Sequence, residues 1–242
     1  MSTNLVLRNV GKRFGSVEVL KNVSASLEAG KIHGIVGRNG SGKTVLFKCI
    51  CGLIADYTGS IQIDGRERRN IPLGQVNIGI IIENPGFLLE YSGRENLRLL
   101  SGIRGEVNSQ RIREIMELVG LNPSSHKPVG KYSMGMRQRL GIAQALMEKP
   151  ELLILDEPFN GLDNSGVSEM REVLKELRKA GKTILIASHN QMDINELCDT
   201  CCEMDAGILS VRNPSYPYRL HGYLNADRAD GDYTQVKDRW TP

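Results

Sequence analysis

Long apolar runs are missing from this sequence of 242 residues. No stretch approaches the roughly 18 consecutive apolar residues that a helix needs to cross a bilayer. The N-terminal Met1–Asn4 leads directly into a strand-like segment and lacks the hydrophobic core of a signal peptide. We therefore expect a soluble chain that resides in the cytoplasm.

Aromatic residues and net charge are also low. Aromatic side chains make up 5% of the chain, which leaves little material for stacking on bases, and the formal net charge is only +3. Proteins that bind nucleic acid usually carry a basic block or a strongly basic surface, and the sequence has no such block. We expect no nucleic-acid partner.

Cysteine is scarce, and its count is odd. The five cysteines are Cys49, Cys51, Cys198, Cys201 and Cys202. An odd count without a secretory signal argues against a disulfide framework. The spacing Cys198-x-x-Cys201 occurs in metal and redox sites, but no second pair of Cys or His residues lies at a matching distance. Packed thiols are the simpler interpretation of these residues.

A glycine-rich segment near the N-terminus has the pattern G-x-x-x-x-G-K-T. It consists of Gly37, Arg38, Asn39, Gly40, Ser41, Gly42, Lys43 and Thr44. In such a loop the backbone N–H groups turn inward and bind phosphate oxygens at the positive end of a helix. We expect Lys43 to reach the β- and γ-phosphates of a nucleotide and the Thr44 hydroxyl to bind Mg²⁺. An incidental glycine turn is disfavoured by the apolar Ile32, Ile35 and Val36, which predict a buried strand before the loop.

A second apolar strand ends in two carboxylates. Leu152–Leu155 is followed directly by Asp156 and Glu157, which is the form of a Walker B strand. We expect Asp156 to hold the Mg²⁺ that Thr44 also touches, and Glu157 to polarise the attacking water. The alternative is a strand that ends in two solvated acids.

The wider pattern predicts an α/β domain with an insertion. Apolar runs such as 77–82 and 183–187 alternate with helical segments such as 167–180, which is typical of parallel crossovers. From about residue 87 to 146 the pattern is mostly helical instead. Periodicity is lost at the C-terminal end, so we expect residues 213–242 to form a loosely ordered tail or a peripheral extension.

A third segment, Tyr132–Leu140, lies between the phosphate loop and the strand that ends in two carboxylates. Ser133 and Gly135 stand at the start of a helix that is predicted in this segment. A serine there can cap the helix, and glycine allows close approach of an anion. These residues alone leave an ordinary capped helix and an anion site equally open. The segment resembles the signature motif of ATP-binding cassette (ABC) ATPases, and the order of phosphate loop, signature and Walker B strand is the order of that family.

The resemblance covers roughly Leu5–Val211 and implies the fold of the family. That fold is an α/β phosphate-loop NTPase core with a mainly parallel sheet, an N-terminal antiparallel β subdomain and an inserted α-helical subdomain at about 87–146. It places the ATPase domain over residues 1–212. It also implies ATP and Mg²⁺ as the ligands.

The resemblance implies functional roles for several single residues. Phe14 is similar to the aromatic residue that stacks on adenine, and Asp163 to the D-loop aspartate that contacts the partner subunit. Ser133 and Gly135 resemble the pair that binds the γ-phosphate held by that partner. His189 resembles the switch histidine, which contacts the γ-phosphate and would act with Lys43 and Glu157 in catalysis.

Two features depart from the family pattern. Met134 and Met136 stand where glycine and glutamine are usual, and Glu83 stands where most cassette ATPases have glutamine. A carboxylate at this position adds negative charge and removes a donor, so we expect Glu83 to join the metal site. With the segments 84–87 and 94–97 after it, Glu83 resembles the branch that exports, or confers immunity to, bacitracin and lantibiotic peptides. A neutral substitution is the alternative.

The resemblance also implies an assembly. Two ATPase subunits, identical or different, would face head to tail with ATP between the phosphate loop of one and the signature of the other. A separate transmembrane permease would hold them at the inner face of the cell membrane. A soluble cassette ATPase that acts on nucleic acid or ribosomes is disfavoured by the single compact cassette without a basic surface. A nucleotide sensor without hydrolysis is disfavoured by the presence of both Glu157 and His189.

Overall fold

The computed structural model describes residues 4–72, 75–83, 85–103 and 107–212. The strands are β1 (Leu5–Phe14), β2 (Val17–Leu27), β3 (Ile32–Val36), β4 (Thr58–Ile63), β5 (Arg66–Glu67), β6 (Ile78–Ile81), β7 (Leu152–Asp156), β8 (Thr183–Ser188), β9 (Thr200–Asp205) and β10 (Ile208–Arg212). The α-helices are α1 (Lys43–Cys51), α2 (Gly93–Ser101), α3 (Ser109–Leu118), α4 (Met134–Leu146), α5 (Asn164–Lys179) and α6 (Gln191–Leu197). Within these ranges no helix combines the length and the apolar character of a membrane span. The tail expected at 213–242 lies outside the described residues.

A six-stranded sheet forms the centre of the molecule, with the strand order β10-β9-β3-β8-β7-β6. The five strands from β9 to β6 run parallel, and β10 is antiparallel to β9. Every residue of β3 and β8 is buried, as expected for parallel strands covered on both faces. The register pairs Val36 with Ser188 and Asp156 with Ala187, so β3, β8 and β7 end together at what we call the carboxyl edge.

A second sheet is antiparallel, with the order β2-β1-β4-β5, and forms the predicted N-terminal β subdomain. Helix α1 packs between the two sheets through Leu46, Phe47 and Ile50, which are fully buried with Leu5 and Ile61 of the second sheet. This packing fixes the start of α1, and with it the preceding glycine-rich loop, at the carboxyl edge. The two sheets and the helices between their strands confirm the predicted fold class.

Three helices, α2, α3 and α4, lie within the interval 87–146 where the sequence predicts a helical insertion. Their apolar faces meet in one cluster that contains Leu97, Ile112 and Leu140, and this cluster continues into the central sheet at Leu155. The insertion is therefore joined to the sheet by a shared core, and α4 lies beside the strands of the carboxyl edge.

The first part of the predicted helical interval contains two separate helices. The first, α2, starts with a capping box formed by Ser92 and Glu95 and ends at Ser101. The side chain of Asn108 accepts a hydrogen bond from the backbone N–H of Arg111 and starts α3. Each helix thus has its own N-cap, which satisfies backbone N–H groups that would otherwise lack a partner.

Candidate active site

Several of the predicted site residues follow strands at the carboxyl edge. The loop 37–42 follows β3, Glu157 follows β7, and His189 follows β8. Glu83 comes two residues after β6, the next strand in the sheet. Parallel strands that end at one edge bring residues together from distant parts of the sequence, and ligands of α/β proteins bind at such edges.

The glycine-rich loop wraps around the ammonium group of Lys43. The Lys43 side chain is buried, and its Nζ donates to the carbonyl oxygens of Gly37 at 2.7 Å and Arg38 at 3.2 Å. Gly42 has a φ of +111°, which only glycine adopts without strain. A Cβ atom on Gly37 would lie 2.3 Å from the carbonyl oxygen of Met204, so this position excludes any side chain. The loop therefore holds a positive charge at the centre of a backbone cradle.

Thr44 and Asp156 meet beside this cradle. The Thr44 hydroxyl donates a hydrogen bond of 2.5 Å to Oδ2 of Asp156. Burial raises the pKa of the Asp156 carboxyl, while the Thr44 hydrogen bond and the nearby Lys43 ammonium act in the opposite direction. A hydroxyl and a partly desolvated carboxylate are oxygen ligands of the kind that Mg²⁺ prefers. The pair predicted as metal ligands therefore has suitable chemistry and is already assembled.

Glu157 has one carboxylate oxygen held and the other without a partner. Its Oε2 lies 2.8 Å from Nδ1 of His189. Its Oε1 is buried and has no hydrogen-bond partner among the described residues, a costly arrangement that usually marks a function. The backbone N–H of Glu157 donates to the carbonyl of Ala187 at 2.9 Å, and its φ of +51° turns the residue out of the strand direction. One oxygen of the carboxylate is thus held by His189, and the other is unpaired among the described residues.

Gln138 lines the candidate site, although no motif in the sequence predicts a role for it. It lies on α4, and its Nε2 donates to the backbone carbonyl oxygens of Pro158 at 2.9 Å and Glu157 at 3.3 Å. The contact joins the signature helix to the turn that carries Glu157. Its acceptors are backbone atoms of a distant turn, so no spacing in the sequence could reveal it.

Glu83 lies near the metal pair but is held by a different group. Its Oε1 accepts a hydrogen bond from Nζ of Lys48 at 2.8 Å, and its side chain is 64% exposed. The Glu83 charge contributes to raising the pKa of Asp156, and the Lys48 charge contributes to lowering it, so both lie within electrostatic reach of that carboxyl. Glu83 has a φ of +62°, the same left-handed conformation as Glu157. The partner Lys48 was not predicted.

A cavity of about 630 Å³ connects these groups, a size typical of small-molecule sites. It is lined by Val19, Asn39, Gly40, Ser41, Gly42, Lys43, Thr44, Val45, Glu83, Met134, Gln138, Asp156, Glu157 and Asn160. The predicted residues Phe14, Gly37, Arg38, Ser133, Gly135, Asp163 and His189 are not among the described residues that line it.

The signature segment packs against the segment predicted as the D-loop. Ser133 caps α4, and its Oγ accepts a hydrogen bond from the N–H of Met136 at 3.1 Å. A Cβ atom on Gly135 would lie 2.9 Å from the carbonyl oxygen of Gly161. Met134, which is 60% exposed, lies over Gly161 and reaches the cavity. The segment forms a capped helix, which is one of the two interpretations that its residues left open, and the start of this helix is solvent-accessible.

Phe14 and Asp163 each have a structural partner and an exposed face. The Lys12 ammonium lies 4.6 Å from the centre of the Phe14 ring, which is 48% exposed. Asp163 is exposed and caps α5, because its Oδ1 accepts a hydrogen bond from the N–H of Gly166 at 2.9 Å. Both residues remain accessible to a ligand or a partner subunit.

None of the five cysteines forms a disulfide bond. Burial raises the pKa of Cys49 to about 11 and that of Cys51 to about 12, and it also raises the pKa of Cys198 and Cys202. Across the described part of the chain, no three His, Cys, Asp or Glu residues are grouped so that they could hold a metal ion. The thiols whose pKa is raised are therefore protonated at neutral pH and take part in packing.

Comparisons with known proteins identify the family. The family model of the ABC transporter matches residues 20–160, which is more than half of the chain. The bacitracin transport ATP-binding protein BcrA of Enterococcus faecalis is 39% identical over 227 residues, covering 92% of this chain and 74% of that protein. The lantibiotic transport ATP-binding protein SrtF of Streptococcus pyogenes is 38% identical over 197 residues, covering 81% of this chain and 84% of that protein.

A solved structure shares the fold. It is a dimeric ATP-binding cassette in a post-hydrolysis state with bound ADP and phosphate. It matches with a TM-score of 0.77 and 23% identity, covering 90% of this chain and 100% of that one. Together with the phosphate loop and the strand that ends in Asp156 and Glu157, these findings confirm the resemblance drawn from the sequence. This chain belongs to the ABC transporter family, in which it is an ATP-binding subunit that hydrolyses ATP.

Proposed function

We propose that this chain drives the export of antimicrobial peptides or related amphiphiles by hydrolysing ATP at the inner face of the cell membrane. The proposed hydrolysis of ATP rests on the contact between Glu157 and His189. This contact leaves the other oxygen of the Glu157 carboxylate, which is buried, without a partner beside the phosphate loop. The part that concerns export rests on the relatives, two of which are named for bacitracin and lantibiotic transport.

The phosphate loop would bind the nucleotide phosphates through its backbone N–H groups and the Lys43 ammonium. Thr44 and Asp156 would hold Mg²⁺ through the hydroxyl and the carboxylate that already contact each other. When bound, Mg²⁺ neutralises charge on the phosphate oxygens. Glu83 would join this site when it leaves Lys48, since both groups lie near Asp156.

Hydrolysis would begin with a water near the free Oε1 of Glu157. The carboxylate accepts a proton from this water as the oxygen attacks the γ-phosphorus, and the bond from that phosphorus to the bridging oxygen breaks. His189 keeps the Glu157 carboxylate in place through Oε2 and would contact the γ-phosphate. Lys43 stabilises the negative charge on the phosphate oxygens.

A second ATPase subunit would complete the site. Ser133 and Gly135 do not line the cavity of their own subunit, and both stand at an accessible helix start. They would bind the γ-phosphate held by a partner, while Asp163 would contact that partner directly. ATP would then stabilise the closed dimer, because it contacts both subunits only in that state.

The helical insertion would dock the permease. Leu88, Leu89 and Leu99 are about half exposed on this insertion, and Leu88 and Leu89 lie a few residues after Glu83. Exposed apolar side chains grouped in this way often mark protein interfaces. Movement of the Glu83 segment on hydrolysis would therefore reach the membrane subunit directly.

Bacitracin resistance offers a direct test of the cargo. The chain is co-expressed with its permease in a bacitracin-sensitive host, and the minimal inhibitory concentration is measured for bacitracin, a lantibiotic and an unrelated cytoplasmic antibiotic. We expect higher resistance to at least one of the two peptides, and loss of that resistance with the Glu157→Gln variant. Equal sensitivity with wild type and variant, at equal protein levels, would contradict the proposed cargo.

A further inference from the structure

The residues on either side of His189 are tied into a buried polar network. Ser188 is 2% exposed, and its hydroxyl lies 3.4 Å from Oδ2 of Asp193. The N–H of Asn190 donates to the Ser188 hydroxyl at 3.0 Å. The residues on both sides of His189 are therefore joined through the Ser188 hydroxyl, which also reaches Asp193 on α6.

Asp193 is the centre of this network. It is 4% exposed, which is rare for a carboxylate unless it is paired. Its Oδ1 accepts a hydrogen bond of 2.5 Å from the guanidinium of Arg171, which lies on α5. The other carboxylate oxygen faces Ser188. One carboxylate thus joins α5 to the strand end that carries His189.

Arg171 connects the network to the predicted dimer contact. It lies two turns along α5, the helix that starts at the Asp163 cap. Its guanidinium also contacts Glu196, a carboxylate that is 49% exposed and touches no residue next to His189. Its Nε is buried without a partner in the described chain, and its bond to the buried Asp193 is shielded from solvent, whereas its bond to Glu196 is not. A shift of α5 would therefore move Asp193 and, through Ser188, the backbone of His189.

From this geometry we propose that Arg171 and Asp193 are positioning residues that hold His189 against Glu157 and couple it to the segment at Asp163. The inference rests on the proposed function, because the step that it supports is hydrolysis by Glu157. Neither residue lines the nucleotide cavity, so both act through His189 and touch no reacting atom. Truncation of Arg171 would leave a buried carboxylate without its cation and would endanger folding. Asp193→Asn is the better variant, because it keeps the shape of the side chain while it removes the charge and replaces one acceptor oxygen with a donor NH2 group.

The first experiment measures His189 directly and needs no turnover. In the full chain with ¹³C-labelled histidine, the His189 ring resonance is assigned by its loss in His189→Ala. We expect this resonance to shift or broaden in Asp193→Asn and to stay unchanged in Glu196→Gln, which removes the other acid of Arg171. An unchanged His189 resonance in Asp193→Asn would overturn the proposal, whatever happens to stability or rate.

The second experiment separates binding from the chemical step. We expect kcat for ATP hydrolysis in Asp193→Asn to fall on the order of 10- to 100-fold, as misplacement of a catalytic group does, with KM within about twofold of wild type. Glu196→Gln should retain the wild-type kcat. Equal kcat in both variants would overturn the positioning role. If wild type itself does not hydrolyse ATP, the proposed function fails, and the histidine resonance alone decides the positioning of His189.

Discussion

Three carboxylates at the carboxyl edge differ in what holds them. Asp156 is bound by the Thr44 hydroxyl, Glu157 by the His189 ring, and Glu83 by the Lys48 ammonium. The group that binds each carboxylate determines what that carboxylate is available to do. A hydroxyl leaves Asp156 free to bind a cation, and the imidazole orients Glu157 while one of its oxygens stays available. The ammonium of Lys48 competes with a metal ion for Glu83.

Glu83 is expected to raise the affinity of the site for Mg²⁺. Glu83→Gln removes one negative charge near Asp156, so the Mg²⁺ concentration at half-maximal ATPase rate should rise roughly threefold to tenfold, or about 0.7 to 1.4 kcal/mol. The measurement is a Mg²⁺ titration at saturating ATP. Glu176→Gln, an exposed position on α5, is the matched control and should behave as wild type. Superimposable curves for Glu83→Gln and wild type would contradict a metal role.

His33 makes the stability of the fold depend on pH. It is buried in β3, where Nε2 lies 2.8 Å from the carbonyl oxygen of Glu28 and Nδ1 lies 2.7 Å from the Thr200 hydroxyl. A carbonyl oxygen only accepts, so Nε2 carries the hydrogen and Nδ1 accepts from the hydroxyl of Thr200. This arrangement suits the neutral ring, and burial lowers the pKa of His33 below its usual 6.5.

The sign of this pH dependence follows from the lowered pKa. Below pH about 6.5, His33 of the unfolded chain binds a proton, whereas His33 of the folded chain stays neutral until a lower pH. Protonation therefore favours the unfolded state, and the free energy of unfolding decreases as the pH falls. We expect the free energy of unfolding, measured with urea between pH 7.5 and 5, to fall more steeply for wild type than for His33→Gln. The difference in slope is at most about 1.4 kcal/mol per pH unit, the limit for one proton. Parallel curves of the free energy of unfolding against pH would show that His33 does not contribute to the pH dependence of stability.

At the scale of elements, the contact between β6 and α4 is the tightest joint between the insertion and the sheet. A Cβ atom on Gly79 of β6 would lie 2.0 Å from the carbonyl oxygen of Ala145 in α4. Only glycine permits this approach, because the opposing atom belongs to the backbone of a helix and cannot turn away. The joint holds α4, and therefore Gln138 and the signature segment, at a fixed distance from the strand that leads to Glu83.

Substitution at this joint should destabilise the protein. We expect Gly79→Ala to lower the free energy of unfolding by roughly 1 to 3 kcal/mol, as overpacking does. Gly86→Ala is the matched control, since a Cβ there meets no atom within 4 Å, and its effect should stay within about 0.5 kcal/mol. Urea denaturation followed by circular dichroism measures both. If Gly79→Ala were as stable as the control, α4 and β6 could move apart enough to accept a side chain at this contact.

The sequence predicts the elements that rest on local patterns. The strands before Gly37 and Asp156 are apolar runs, and the phosphate loop and the Walker B acids follow them in fixed spacing, so their convergence at one sheet edge could be expected. The partners Lys48, Gln138 and Arg171 could not be predicted, because each reaches a residue on another element through tertiary packing. The left-handed conformations of Glu83 and Glu157 also escaped prediction, since glycine is the usual residue for such a backbone.

At the scale of the whole molecule, we propose that two subunits share each nucleotide site. The cavity is lined by residues 39–44, Asp156 and Glu157, whereas Ser133 and Gly135 stand at the accessible start of α4 and do not line it. Two subunits arranged head to tail would bring the second set onto the nucleotide of the first. On this account ATP closes the dimer and hydrolysis at Glu157 opens it.

The most direct test of this account uses the Glu157→Gln variant of the full chain. ATP-dependent dimerisation is measured by size-exclusion chromatography with light scattering, and turnover by phosphate release. We predict a stable dimer in ATP and Mg²⁺, with kcat lowered on the order of 10²- to 10⁴-fold, the usual contribution of a general base. Turnover close to that of wild type, or a protein that stays monomeric in ATP, would contradict the central claim that Glu157 hydrolyses ATP held between two subunits.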